Sequence, residues 1–210
     1  MMQRLTFGVL MAVGLPLTVF ADSQDTPEYP SAKVSYSDFK SLVETVEEHR
    51  SERLVGLDEF LEMSKDPNTI ILDTRSVERF ERIHVAGAKH LNFADFNQRS
   101  LAELIPDPNT RILIYCNNNF EGNPVDFTTK VYTPPTASDE VIDEERPVMM
   151  ALNVPTYINL YGYGYQNVYE LDELVNVSDQ RIEFEGTVIN QSSVMELPIL
   201  NLEPTKRKRR

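Results

Sequence analysis

The sequence has few of the cysteine and histidine side chains that commonly serve as nucleophiles, bases or metal ligands. Its 210 residues include one cysteine and three histidines. The single cysteine, Cys116, excludes an internal disulfide. The histidines stand at positions 49, 84 and 90, a spacing that does not match a metal-ligand pattern. We therefore expect neither a metal site nor a cofactor.

Basic residues are scarce relative to acidic ones, at 20 Lys and Arg against 33 Asp and Glu, which gives a net charge of −13 at pH 7. An acidic body repels nucleic acid and anionic membranes at long range, so we expect neither as a partner. The C-terminal run 206–210 is entirely basic. Such a run either binds an acidic partner, folds back electrostatically or remains a solvated end.

Long hydrophobic runs are confined to the N-terminus. A basic start with Arg4 precedes an apolar stretch over 5–19, and a small-x-small pattern ends at Ala21. This predicts a secretory signal peptide cut after Ala21, with an uncleaved membrane anchor as the alternative. No later stretch approaches a transmembrane length. We therefore expect a periplasmic or secreted protein without stable membrane insertion after cleavage.

An odd cysteine in a secreted protein is either a free reactive thiol or half of an intermolecular bond. Because an idle thiol is a liability in an oxidising compartment, its retention favours a function for Cys116. The alternative is a buried structural cysteine.

Apolar strand patterns alternate with amphipathic helical patterns along the chain. The predicted helices are 37–50, 58–63, 76–83, 101–105 and 149–161, with Pro155 expected to kink or delay the last. The predicted strands are 53–55, 69–73, 90–93, 111–116, 166–171 and 181–188. This alternation predicts an α/β fold, with a parallel β-sheet flanked by α-helices on both faces.

The chain is expected to consist of a linker and helix at 22–52, a single domain at 53–175 and a C-terminal extension at 176–210 that carries the basic tail. A polar, acidic insert at 123–148 interrupts the domain. Long loops of this kind are usually functional or disordered, and this one could act as a lid.

The strand 111–116 ends on Cys116, and the loop that follows is rich in residues that tolerate left-handed backbone angles. Such a loop can point several backbone N–H groups at one sulfur and stabilise a thiolate or a sulfur-bound anion. The residues predicted to form this cradle are Asn117, Asn118, Asn119, Phe120, Glu121 and Gly122.

Three motifs within 53–175 resemble the rhodanese family. The first runs from Asp73 and Arg75 through Glu78 and Phe80 to the turn at 84–88 and Asn92, and is similar to D-x-R, an acid, an aromatic, G-H-I-P-G-A and an Asn. In the second, Cys116 falls where the family has its active-site cysteine. The third, 162–171, is similar to the closing G-[FY]-x-N-V-Y-x-L strand.

The resemblance implies a sulfurtransferase with Cys116 as its nucleophile. The thiolate would take sulfane sulfur from a small donor such as thiosulfate, hold it as a persulfide and pass it to a thiol acceptor. The loop amides would stabilise the anionic sulfur. Asp73 and Arg75 are expected to form a charged pair that ties loops together, although Arg75 could also assist substrate binding. His84 is expected to secure its turn by hydrogen bonding rather than to transfer protons.

The cysteine loop departs from the family pattern because it contains no Arg or Lys. Glu121 adds a negative charge, which would repel thiosulfate and raise the thiol pKa if it pointed inward. Gly122 stands where the related C-x5-R phosphatases have Arg, which argues against phosphatase chemistry. Cations for an anionic donor would have to come from Arg75, Lys130 or Arg146.

Two other functions remain open from the sequence. One is a non-catalytic rhodanese-fold module that binds a protein or small molecule in the periplasm, which the cation-free loop and acidic insert favour. The other is a thiol-handling role in which Cys116 pairs with the cysteine of another protein.

Overall fold

The structure is a computed structural model that describes residues 30–132 and 148–189. From Ser35 onward, these residues belong to one compact unit. The predicted signal peptide, residues 133–147 of the predicted insert and the basic tail lie outside the described residues. Within the described ranges, no helix has both the length and the apolar character needed to cross a bilayer.

The helices of the described chain begin where the sequence supplies polar caps or a tolerated proline. Ser76 accepts a hydrogen bond from the Arg79 N–H, and Asn97 caps the next helix. Pro155 occupies the third position of the last helix, where an N–H would have no intrahelical partner. The helices are α1 (Tyr36–Ser51), α2 (Leu57–Ser64), α3 (Val77–Arg82), α4 (Gln98–Leu104) and α5 (Asn153–Gly162).

The strands are short apart from the apolar runs at the centre of the sheet. They are β1 (Leu54–Val55), β2 (Thr69–Asp73), β3 (His84–Val85), β4 (Lys89–His90), β5 (Arg111–Tyr115), β6 (Phe120–Glu121), β7 (Val131–Tyr132), β8 (Val148–Met149), β9 (Val168–Leu171), β10 (Val175–Asn176) and β11 (Phe184–Glu185). Five of them form a parallel sheet in the order β1-β9-β5-β2-β4.

Side chains alternate across the central strand β5 and pack into two separate clusters. Ile112 and Ile114 face a cluster with residues of α1, α4 and α5. Leu113 and Tyr115 face the opposite cluster, which includes Phe60 of α2. Both faces of the parallel sheet are therefore covered, and the predicted fold class is confirmed.

Elements on either side of the predicted domain also contact the sheet or its edges. The Arg50 guanidinium of α1 donates to Glu170 of β9, with N···O distances of 2.6 and 2.7 Å. At the other end, β10 pairs in parallel with β6, and β11 pairs antiparallel with β3. Of the predicted strand at 181–188, only the two residues of β11 form a strand. The domain boundaries at 53 and 175 stay a prediction.

Candidate functional site

The carboxyl ends of β2 and β5 bring the first and second sequence motifs together. The two strands are neighbours in register, so Asp73 lies beside Tyr115. The residues that follow each strand, Arg75 and Cys116, therefore meet at the same edge of the sheet. Ligands of open parallel sheets bind at this edge.

Cys116 lies at a pocket of about 390 Å³ at this edge, although only 1% of its surface is exposed. A cavity of this size is within the range of pockets that hold small organic ligands. The residues that line it are Thr74, Arg75, Ser76, Arg79, Asn92, Phe93, Ala94, Cys116, Asn117, Asn118, Thr128, Lys130 and Leu152.

The sulfur of Cys116 is approached by backbone N–H groups from two parts of the chain. The Asn118 N–H donates to Sγ at an N···S distance of 3.4 Å. The N–H groups of Leu152 and Asn153, at the start of α5, also act on the sulfur. The first turn of α5 has no side-chain cap. The positive end of a helix dipole therefore faces the thiol.

Burial and these N–H groups act in opposite directions on the thiol. Desolvation is the larger effect and raises the pKa of Cys116, because it disfavours the thiolate. The N–H groups of Asn118, Asn153 and Leu152 lower the pKa, and the charge of Glu170 raises it slightly. The net shift is upward, so the resting site holds a protonated thiol at neutral pH.

Only part of the predicted cradle surrounds the sulfur. Asn117 and Asn118 line the pocket with Cys116, whereas the four residues after them do not. Residues Asn117–Asn119 form a short 3₁₀ turn, after which β6 pairs with β10 and leads the chain away. Of the six residues predicted to form the cradle, only Asn117 and Asn118 therefore line the pocket, and the N-terminus of α5 supplies N–H groups that the sequence did not predict.

The remaining cradle residues have structural surroundings. Phe120 is buried and packs against Phe127 and Phe184 in the core. Glu121 is exposed and lies outside the sulfur pocket, so its charge does not enter it. Gly122 forms a turn at a φ of 89°.

Hydrogen bonds of the Asn119 side chain hold the cysteine loop in place. Its Oδ1 accepts hydrogen bonds from the Cys116 N–H and from Asn153 Nδ2, each at 2.9 Å. Its Nδ2 donates to the Leu171 carbonyl at 2.6 Å. One buried amide therefore connects the ends of β5 and β9 to the start of α5.

Asp73 and Arg75 form the buried charged pair that the sequence predicts. The guanidinium contacts both carboxylate oxygens at 2.7–3.0 Å and also donates to the Ile83 carbonyl at 2.6 Å. Asp73 accepts a further hydrogen bond from the Tyr115 hydroxyl at 2.6 Å. Arg75 lines the pocket, but its charge is neutralised within this network.

His84 is placed to secure its turn and does not line the sulfur pocket. Its Nδ1 lies 2.7 Å from the Phe80 carbonyl, and its ring stacks on that of Phe80 with centroids 3.8 Å apart. Its Nε2 lies 3.5 Å from a carboxylate oxygen of Glu185. The proton-transfer role that the sequence disfavoured finds no support in this placement.

Of the three cations considered from the sequence, Arg75 and Lys130 line the pocket, and Arg146 lies outside the described residues. Sequence reasoning missed Arg79, which lines the pocket from α3. The sequence feature that could have predicted this position is the Ser76 cap. A helix that starts immediately after the end of β2 places its first turn, which includes Arg79, beside the end of β5. Asn153 was missed as well, and its contact with the loop depends on tertiary packing.

Nothing in the described chain resembles a metal centre, because no three His, Cys, Asp or Glu side chains there are grouped to hold an ion. The described residues place one thiol, backbone N–H donors and cationic side chains at this edge of the sheet.

One comparison with known proteins bears on this part of the chain. Residues 56–133 match the family model described as Rhodanese-like domain. No match was found among curated proteins. Among solved structures, the chain is similar to the BH2092 protein from Bacillus halodurans, with 13% identity and a TM-score of 0.39 over 75% of this chain and 97% of that one. That similarity is too weak to bear on function. Residues 56–133 are thus similar to a rhodanese-like domain.

Proposed function

We propose that the protein is a sulfurtransferase that carries sulfane sulfur as a persulfide on Cys116. The observation that carries this proposal is the placement of Sγ at a pocket where N–H groups of two separate elements approach it. Donors arranged in this way stabilise negative charge on sulfur without reorganising during the reaction. The match of the chain to the rhodanese-like family supports the same assignment.

The proposed reaction begins with loss of the Cys116 proton, since the thiolate is the nucleophile. The thiolate attacks the sulfane sulfur of the donor, a new S–S bond forms, and the old bond breaks with its electron pair on the leaving group. With thiosulfate, that leaving group is sulfite. An acceptor thiolate then attacks the outer sulfur of the persulfide and releases the Cys116 thiolate. No metal or cofactor takes part in either step.

The N–H groups of Asn118, Leu152 and Asn153 would have their largest effect after the first step. The terminal persulfide sulfur extends from Sγ into the pocket and carries the negative charge. Charge-assisted hydrogen bonds to an anion are roughly twice as strong as neutral ones. The site would therefore stabilise the sulfur-loaded state more than the resting thiol.

The test is sulfur uptake by the purified chain, followed by intact-mass measurement. Wild type incubated with thiosulfate, 3-mercaptopyruvate or glutathione persulfide should gain the mass of one sulfur atom, and cyanide should remove it. Because Cys116 is the only cysteine, Cys116→Ala has no thiol and should gain nothing. The proposal fails if wild type takes up sulfur from none of these donors.

A non-catalytic rhodanese-fold binding module is the second candidate, and the raised pKa of Cys116 favours it. A protonated, buried thiol reacts slowly, and the loop residues beside it carry no cation. In that case Cys116→Ser would bind a partner from the source extract as wild type does, and the thiol would take up no sulfur. A Cys116 mixed disulfide in alkylated native extract would instead identify a thiol-handling role.

The proposed place of action is the periplasm or the outside of the cell, from the predicted signal peptide. The mature chain would then begin at Asp22, after cleavage following Ala21. N-terminal sequencing of the protein recovered from the exported fraction tests this. A chain that retains residues 1–21 in that fraction would contradict cleavage and favour the anchor.

A further inference from the structure

The pocket beside Cys116 is cationic in a protein that is strongly acidic. The net charge of the chain is −13, yet among residues 30–132 and 148–189 no Asp or Glu lines this pocket, whereas Arg75, Arg79 and Lys130 do. The charge of Arg75 is neutralised by Asp73. The two other cations come from α3 and from the residue before β7, so neither belongs to the cysteine loop.

The side chains of Arg79 and Lys130 remain available to a ligand within the described part of the chain. Arg79 donates to the Val125 carbonyl, which occupies one of its five N–H donors. No ion pair among residues 30–132 and 148–189 involves either cation. The charge of Arg79 helps to lower the pKa of Asp126. That carboxylate already forms an ion pair with Arg82, with an N···O distance of 2.5 Å.

The backbone of Lys130 is held by Asn118, the residue whose N–H donates to the sulfur of Cys116. The Lys130 N–H donates to Asn118 Oδ1 at 2.9 Å, and Asn118 Nδ2 donates to the Lys130 carbonyl at 3.3 Å. This two-way hydrogen bond holds the backbone of Lys130 beside the cysteine loop. The chain therefore holds the backbone of a lysine that lines the pocket at a defined position relative to the cysteine loop.

The groups that contact the sulfur itself are all neutral, namely the N–H groups of Asn118, Leu152 and Asn153. The neutral donors at the sulfur thus belong to the cysteine loop and the start of α5, whereas the cations Arg79 and Lys130 line the pocket from other elements. Thiosulfate has its anionic oxygens one atom away from the reacting sulfur and would need cations at Sγ. A carboxylate several bonds from the reacting sulfur fits this arrangement, and a volume of about 390 Å³ accommodates an organic molecule.

We propose that Arg79 and Lys130 bind the carboxylate of an organic persulfide, and that such a compound is the sulfur donor in preference to thiosulfate. This inference rests on the proposed function. The Cys116 thiolate attacks the outer sulfur of R–S–SH, a Cys–S–S bond forms, and the donor S–S bond breaks. The electron pair leaves with the thiolate R–S⁻, so no oxidant or reductant is required.

The test compares glutathione persulfide with its dialkyl ester, which has no carboxylate. Wild type should load sulfur from the acid faster than from the ester, and faster from the acid than from thiosulfate. Loss of one charge-assisted contact should reduce the acid-to-ester ratio of kcat/KM on the order of tenfold. Arg79→Gln and Lys130→Gln should each show this reduction. Arg99→Gln on α4 and Lys89→Gln on β4 are matched controls outside the pocket, and they should keep the wild-type ratio.

A binding measurement separates the anion site from the sulfur chemistry. By calorimetry, S-methylglutathione should bind wild type more tightly than its diester does, and Arg79→Gln and Lys130→Gln should reduce the difference. Equal rates and equal binding for acid and ester, or thiosulfate as the fastest donor, would overturn the inference while the proposed function survives. Absence of sulfur uptake from every donor would instead overturn the proposed function.

Discussion

Cys116 is subject to two opposing influences that the structure places within a few ångströms of its sulfur. Burial disfavours the thiolate, and the N–H groups of Asn118, Leu152 and Asn153 favour it. Burial is the larger effect, and it raises the pKa of the thiol. We therefore expect the resting thiol to react slowly with electrophiles at neutral pH, which would limit oxidation of the only thiol in the chain.

The first prediction concerns the pH dependence of Cys116 alkylation. The rate with iodoacetamide should rise with pH, and its midpoint should lie above about 8.5, the pKa of an unperturbed cysteine. Stopped reactions followed by intact mass measure the rate. A midpoint below the ordinary value would mean that the N–H groups outweigh burial.

The same shift should appear in stability. The unfolded thiol ionises before the folded one, so the contribution of the thiol to stability is complete below the unfolded-state pKa. It is lost as pH rises through the folded-state pKa. The free energy of unfolding of wild type relative to Cys116→Ala should therefore be constant near neutrality and decrease at alkaline pH.

The second prediction concerns Asn119, which makes three buried hydrogen bonds to different elements. Asn119→Ala leaves the Leu171 carbonyl and the Cys116 N–H without this partner, and each unsatisfied buried group costs about 1–3 kcal/mol. Urea denaturation should show a loss of about 3 kcal/mol, and sulfur uptake should slow because Cys116 is less well positioned.

Asn167→Ala is the matched control for Asn119→Ala. Its amide donates to the Asn109 carbonyl at 2.9 Å in an exposed position. Its loss should change the free energy of unfolding by about 0.5 kcal/mol or less. If both variants lost a similar free energy of unfolding, Asn119 would not be the residue that positions Cys116.

At the scale of elements, two short strand pairings outside the main sheet decide the course of the chain around the site. The pairing of β6 with β10 leads the cysteine loop away from the sulfur. The pairing of β11 with β3 brings the segment after residue 180 against the end of α3. Gly186 follows β11 at a φ of 131°, and a Cβ there would lie 2.4 Å from the Arg82 carbonyl oxygen.

The third prediction is that Gly186→Ala destabilises the protein by more than Gly87→Ala does. Gly87 also has a positive φ, of 76°, but a Cβ there would meet nothing within 4 Å. Gly87→Ala should therefore cost only the backbone strain of about 1–2 kcal/mol. Gly186→Ala adds the displacement of Arg82, for a further cost of about 1–3 kcal/mol. Thermal and urea denaturation measure both, and equal losses would mean that β11 can shift without cost.

At the scale of the whole molecule, an ion pair joins α1 to β9, the strand beside the central strand β5. Arg50 of α1 holds Glu170 of β9 through two hydrogen bonds, and Glu170 is 4% exposed. The side-chain hydrogen bond to Glu170 is the main reason that the pKa of Arg50 is raised. The charge of the same carboxylate is also one of the causes that raise the pKa of Cys116. The ion pair therefore influences the electrostatics of the site.

The fourth prediction is that Arg50→Met costs more stability than removing both partners. The single variant leaves a buried carboxylate unpaired, which should cost about 3 kcal/mol, near the lower end for buried pairs because Arg50 remains partly exposed. The double variant Arg50→Met with Glu170→Met leaves no unpaired charge and should recover much of this loss. Urea denaturation of the two variants measures the difference. If the double variant were no more stable than the single, the unpaired charge would not be the cause.

The sequence by itself determined the alternation of strands and helices, because periodic burial is a local property of the chain. The apolar runs that became β2 and β5 are recognisable without any partner, and so are the Ser76 cap and the position of Cys116 at a strand end. Parallel strands place their carboxyl ends at one edge, so the sequence also predicted that Arg75 and Cys116 lie at the same edge of the sheet.

Only the tertiary structure decided what surrounds the sulfur. The N-terminus of α5 reaches Cys116 from a distant part of the chain, and Arg79 and Lys130 line the same pocket although they belong to different elements. Phe120 enters the core because β10 pairs with β6, which no local pattern specifies. The upward shift of the thiol pKa has the same origin, since burial and long-range pairing depend on contacts between residues that are remote in sequence.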